Sequence, residues 1–149
     1  MPPAPAGRGN ADEDFATALF VQLDGDMLTI IRCGHPLLLL AQGQAVRPLD
    51  THPSLPLCLG TEASSDELRL APGSRILFFS DGAFEGRDAK GEYFDLQSSF
   101  ARHLGTPHRG AVLDAIVVDL DRHCHGGISD DVVLSIAEQS THPRAGRTV

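Results

Sequence analysis

Tryptophan is absent from this 149-residue chain, tyrosine occurs once and phenylalanine seven times. A core built on aromatic rings is therefore excluded, and Leu, Ile and Val must fill it. Basic side chains are also few. Twelve Lys and Arg stand against twenty Asp and Glu, for a formal charge of -8. Nucleic acids and anionic membranes are held by clustered cations, so that balance argues against both as partners. Cysteine is scarce and poorly spaced: Cys33, Cys58 and Cys124 form no Cys-x-x-Cys pair, which excludes a disulfide framework and a cysteine zinc site and leaves reduced thiols. Long apolar runs are missing too. The longest, Leu37 to Ala41, is far too short to cross a bilayer. Residues 1–10 lack the apolar stretch of a signal peptide, so a soluble, cytoplasmic protein is expected.

What is present is ordinary globular composition, 42% hydrophobic and 21% charged, in a length suited to one domain with a real core. Residues 1–14 and 139–149 carry Pro, Gly, Arg, Ser and Thr without apolar periodicity and are expected to be disordered tails around a folded part spanning 15–138. Phe15 to Leu23 and Met27 to Arg32 are β-prone and flank Asp24-Gly25-Asp26, a hairpin signal. Leu37 to Ala41 and Ala45 to Pro48 predict a second hairpin across Gln42-Gly43-Gln44. Residues 52–60 read as a loop, Glu67 to Leu70 as a short strand, and Arg75 to Phe79 as a buried strand that runs into a turn at Ser80-Asp81-Gly82. Helices are predicted over Leu96 to Leu104 and Ala111 to Cys124, the second with an apolar stripe of Leu113, Ile116, Val117 and Leu120. Gly126-Gly127 ends it, and Val132 to Ala137 forms a last strand. Strands first, then helices and one closing strand predict an α+β layered fold rather than a wound βαβ sheet.

Two acidic sites occupy equivalent places. Asp81 follows an apolar strand, and Asp130-Asp131 precedes one. Carboxylates at strand ends can meet at one sheet edge, where a hard divalent cation would take their oxygens and keep open positions for water and substrate. Gly82 would let the backbone turn sharply beside the ion. Spacing alone favours the plainer reading, with Asp81-Gly82 a turn and Asp130 or Ser129 a cap.

The order of motifs from Phe15 to Ala137 resembles the PPM family, the protein phosphatase 2C-like enzymes, and within it the bacterial SpoIIE-type branch. Phe15 to Phe20 with the Asp24 hairpin is similar to the family strand before a Gly-His-Pro motif, present here as Gly34-His35-Pro36. Leu55 to Gly60 resembles its Pro- and Gly-containing loop. Ile76 to Glu85 resembles the strand that carries a metal-binding Asp-Gly, and Ser129-Asp130-Asp131-Val132 the closing Asp-Asp motif. Val133, where Thr or Ser is usual, and Cys33, where a small residue is common, depart from the pattern.

The resemblance implies a partial α-β-β-α sandwich, mostly antiparallel, with two helices packed on a sheet. It implies a metal site with Asp81, Gly82 and Asp130, supported by Glu85 and Asp131, and with Gly34, His35 and Pro36 as a structural motif. A complete domain would hold two Mn²⁺ or Mg²⁺ ions and hydrolyse phosphoserine or phosphothreonine with a metal-activated water. Its implied substrate is a phosphorylated STAS-domain anti-anti-sigma factor. Residues 1–14 match neither the Asp-bearing opening strand nor the Asp-x-x-Gly-His-Gly segment of the family. The resemblance therefore covers the C-terminal portion. Weakened metal occupancy and self-association through an uncovered sheet edge are expected. The alternative is an inactive remnant that binds a protein partner. An aspartyl-phosphate mechanism at Asp81 disagrees with the hairpin-rich pattern, because such enzymes place that Asp in a parallel βαβ sheet.

His35, between Gly34 and Pro36, is expected to be a packed turn histidine rather than an acid catalyst. His123, Cys124 and His125 are adjacent on a helix and point apart, so a helix-terminal role is expected rather than a metal site. Asp119 and Asp121 are expected on a solvated helix face, and Asp88, Lys90 and Glu92 in a surface loop around Gly91.

Overall fold

The computed structural model describes residues 16–60, 62–128 and 130–141. The tail expected at 1–14 and residues 142–149 of the tail expected at 139–149 lie outside the described residues, as do Phe15, Thr61 and Ser129. Seven strands and three helices follow in the order β1 (Ala18–Asp24), β2 (Met27–Cys33), β3 (Leu39–Gln42), β4 (Ala45–Pro48), β5 (Ser65–Arg69), β6 (Arg75–Phe79), α1 (Asp81–Phe84), α2 (Leu96–His103), α3 (Arg109–His123) and β7 (Leu134–Glu138). Strands β4 and β6 have the predicted ends. The other elements lie close to their predicted places. Strand β7 begins two residues late, and the expected turn at Asp81 is the short helix α1.

The strands form two antiparallel sheets, one ordered β1-β2-β5 and the other β4-β3-β6-β7. In the first hairpin Asp24 pairs with Met27, leaving Gly25 and Asp26 as a two-residue turn. Gly25 has φ 62°, the positive value that such a turn requires. Alternation along β3 and β6 then builds two cores at once. Leu40 and Ile76 face the first sheet, where they join Leu28, Ile30, Leu38, Leu49 and Leu70. Leu39, Ala41, Leu77 and Phe79 face the helices and pack with Leu96, Phe100, Val112 and Ile116.

The described residues thus form three layers, sheet on sheet with helices over the outer face of the second sheet. This is the α+β, mostly antiparallel arrangement expected. The apolar stripe of α3 needs one correction. Val112, Ile116 and Leu120 are fully buried and Leu113 half-buried, whereas Val117 is 43% exposed. The stripe is rotated toward Val112 because α3 also packs on α2. No helix among the described residues is long and apolar enough to cross a membrane.

Candidate functional site

The ends of β6 and β7 come together through one serine. Pairing of Phe79 with Leu134 brings Ser80 opposite Val133, and the Ser80 N–H donates to the Val133 carbonyl at 3.0 Å. The Ser80 hydroxyl donates to the Asp131 carbonyl at 3.0 Å and accepts from the Val133 N–H at 2.9 Å. This three-bond clasp ties the segment carrying Asp130 and Asp131 to the start of α1. It also explains why Val132 and Val133 do not open the last strand as predicted: the Val133 backbone and the Asp131 carbonyl on either side of Val132 are bound to Ser80 beyond the regular ladder.

Gly82 sits directly under that clasp. It is buried, and a Cβ there would lie 2.6 Å from the Asp131 carbonyl oxygen and 3.3 Å from the Asp130 Cβ. Only a residue without a side chain lets α1 come this close. Asp81 and Asp130, both exposed, each have one carboxylate oxygen fixed by the next backbone N–H, Gly82 to Asp81 at 3.0 Å and Asp131 to Asp130 at 2.8 Å. Beside them opens a polar cleft of ≈ 360 Å³ lined by Gly82, Glu85, Gly86, Arg87, Gly127 and Asp130. Asp81 stands one residue from that lining. Asp131 contributes its backbone to the clasp.

Hard oxygens of this kind suit Mg²⁺ or Mn²⁺, which bind through one or two carboxylates and keep waters on their other positions. Among the described residues no group of three or more His, Cys, Asp or Glu side chains is arranged to hold a metal ion. A cation here would take Asp81 and Asp130 and keep water on its other positions.

Gly34, His35 and Pro36 do not line this cleft. Gly34 has φ 67°, and a Cβ there would lie 2.6 Å from Pro56 Cγ, so it seats the 52–60 loop against β2. His35 accepts from Arg32 through its carbonyl at 2.9 Å, and its Nδ1 lies 2.9 Å from the Pro36 carbonyl, a packed turn position. His123 meets the Glu92 carbonyl at 2.9 Å, and its ring lies against Phe94. Cys124 is buried, and burial pushes its thiol pKa up. These two residues hold the loop after α1 and form no metal cluster.

Asp119 corrects an expectation. It is not on a solvated face but between α2 and α3, where its Oδ2 accepts from Ser99 at 2.8 Å, Arg102 at 2.7 Å and His103 Nε2 at 2.8 Å. Burial pushes its carboxyl up, but the bonds from His103 and Ser99 and the Arg102 charge outweigh this, so its pKa falls below the usual value. Helical periodicity identifies the apolar stripe but is silent on which polar residue will face another helix.

Comparison with known proteins is consistent with this geometry. The protein IcfG of Synechocystis sp. is 27% identical over 128 residues, covering 83% of this chain and 20% of IcfG. The phosphatase domain of the cell fate determinant SpoIIE from Bacillus subtilis, in a manganese-presoaked structure, superposes with a TM-score of 0.66 at 17% identity, over 85% of this chain and 57% of that one. The RsbU and RsbW domains of a Mycobacterium tuberculosis protein superpose with a TM-score of 0.64 at 20% identity, over 85% of this chain and 37% of that one. The chain thus spans about a fifth of IcfG and little more than half of the Bacillus domain. Two antiparallel sheets with helices over one face match the protein phosphatase 2C-like fold. Residues 7–139 match the stage II sporulation protein E (SpoIIE) family, and the chain belongs to that family.

Proposed function

We propose that this chain carries the Asp-Gly and Asp-Asp half of a metal-dependent phosphoprotein phosphatase site acting on phosphoserine or phosphothreonine. The observation that carries the reading is the Ser80 clasp, which brings Asp81-Gly82 against Asp130-Asp131 although Asp130 lies 48 positions after Gly82. Family membership and the manganese-presoaked relative support the choice of chemistry.

Asp81 and Asp130 would hold the cation, each pre-oriented by the neighbouring N–H. Gly82 keeps the two acidic segments in contact, Asp131 secures the arrangement through its carbonyl, and Glu85 adds negative charge at the cleft wall. When bound, Mn²⁺ or Mg²⁺ supplies a lowered pKa for water and neutralises charge on phosphoryl oxygens. The similarity to an RsbU-bearing protein favours a small regulatory phosphoprotein, of the STAS-domain anti-anti-sigma type, as substrate.

A protein-binding remnant without catalysis is the second reading. It is favoured by the absence, among the described residues, of a third metal-binding side chain. Hydrolysis of a phosphoserine peptide by the purified chain separates the two. Turnover that requires Mn²⁺ and is lost in Asp81→Asn and Asp130→Asn supports the enzyme. Turnover that survives both substitutions refutes the site, and Mn²⁺ binding without turnover favours the remnant.

A further inference from the structure

Arg87 has a role that the acidic site alone does not explain. It is the one cationic side chain lining the cleft that Glu85 and Asp130 also line. Glu85, Asp88 and Glu92 are close in sequence, yet among the described residues Arg87 forms no ion pair. Its guanidinium lies 3.9 Å from the centre of the Tyr93 ring and donates to the Gly91 carbonyl at 3.1 Å and to the Tyr93 hydroxyl. These partners are neutral, so they fix the group without cancelling its charge. A guanidinium has five N–H donors, and two are engaged here.

The support beneath Arg87 is closely packed. Gly86 lies against α3, where a Cβ would come within 2.7 Å of Leu120 Cδ1 and 2.9 Å of Cys124 Sγ, and its carbonyl accepts from the Phe94 N–H at 2.8 Å. Arg87 bridges to Tyr93 across the loop. Asp88 closes the tip, accepting from the N–H groups of Lys90 at 2.8 Å and Glu92 at 2.9 Å, while its own N–H donates to the Glu92 carbonyl. Those bonds hold the Asp88 carboxyl below its usual pKa, the Glu92 N–H contributing most. Asp88 thus braces the loop tip through its Oδ1, and among the described residues it makes no ion pair with Arg87.

We infer that Arg87 is the phosphoryl-positioning residue of this cleft: its free N–H fork receives the phosphomonoester of a phosphoprotein and holds it beside Asp130. A phosphomonoester carries about -1.5 to -2 charges near neutral pH and three acceptor oxygens. Carboxylates alone would repel it. A planar guanidinium can take two of its oxygens at once, which an ammonium cannot reproduce. This role rests on the phosphatase reading of the same cleft.

The test is binding of a phosphoserine peptide and its unphosphorylated twin to the full chain with Mg²⁺, read by fluorescence anisotropy. Arg87→Ala should weaken the phosphorylated peptide about tenfold or more, the effect of losing a charge-assisted contact, and leave the twin unchanged. Arg87→Lys, which keeps the charge, should recover only part of the loss, and circular dichroism melting should place both variants near the parent. Equal binding of the phosphopeptide by parent and Arg87→Ala overturns the role of Arg87, as does full rescue by lysine. If Mn²⁺ turnover persists in Arg87→Ala with unchanged KM, the role of Arg87 falls while the phosphatase reading stands. Preference for the phosphopeptide absent in the parent, together with no Mn²⁺ binding, removes both.

Discussion

The second sheet, β4-β3-β6-β7, and the first, β1-β2-β5, are built from similar strands but are covered differently. The second sheet has apolar residues packed on both faces, Leu40 and Ile76 toward its partner sheet and Leu77 and Phe79 toward the helices. The first is covered on its inner face only, and there over β2 more than over β1. Along β1 the residues paired with buried Ile30 and Leu28 are Val21 and Leu23, which remain 38% and 43% exposed, and Phe20 on the opposite face is 56% exposed. Asp81 and Asp130 are attached to the covered sheet. Of their carriers, β6 is held by packing on two sides, and β7 by its ladder to β6 and by Leu134 and Ile136 against the helices, as a site that must keep two segments aligned requires. The exposed strand at the far edge is suited to association with another surface.

The comparison breaks most sharply at Phe100, fully buried between α2 and the second sheet. Phe100→Ala should cost about 3–5 kcal/mol in urea unfolding, the range for a buried aromatic truncated to a methyl. A loss below about 1 kcal/mol would mean the helices are not part of the covered half.

Asp119 gives the next effect. Asp119→Asn weakens three donors to one oxygen and should cost about 1–3 kcal/mol at neutral pH, since bonds to charged groups are the stronger ones. Its pKa is lowered from 3.8 in the folded chain. The stability it contributes is therefore present above about pH 4 and lost as pH falls through the lower folded value. Acid unfolding should be less steep below that pH in the variant, and an unchanged acid limb would contradict the arrangement.

The smallest effect is expected at Phe20. Phe20→Ser should change unfolding free energy by no more than about 0.5 kcal/mol, as for other exposed positions. It should nonetheless reduce concentration-dependent self-association in sedimentation velocity, and a strong loss of stability would show that the first sheet is better covered than its exposure indicates.

Much of this architecture was legible because its signals are local. A short apolar run ending at Asp81-Gly82 placed Arg75 to Phe79, Asp24-Gly25-Asp26 placed a turn, and spacing placed the two predicted helices. The candidate site was legible only as two Asp motifs in the right order. What brings them together is Ser80, whose hydroxyl reaches a carbonyl 51 residues away, and no periodicity reports such a bond. Asp119 was misplaced for the same reason, its partners Ser99 and His103 lying on another helix. Arg87 escaped notice because its function depends on the shape of the 86–94 loop and on what it does not pair with.

The central claim is that Asp81 and Asp130 act as one cation site held by the contact at Gly82. Calorimetric titration with Mn²⁺ of the parent chain, Asp81→Asn, Asp130→Asn, the double variant and Gly82→Ala tests it most directly. One saturable site is predicted in the parent, with each single Asn substitution removing it about as completely as the double one, and Gly82→Ala weakening it without touching a carboxylate. Binding that declines independently at the two positions, or that persists unchanged in either single variant, would contradict a shared site.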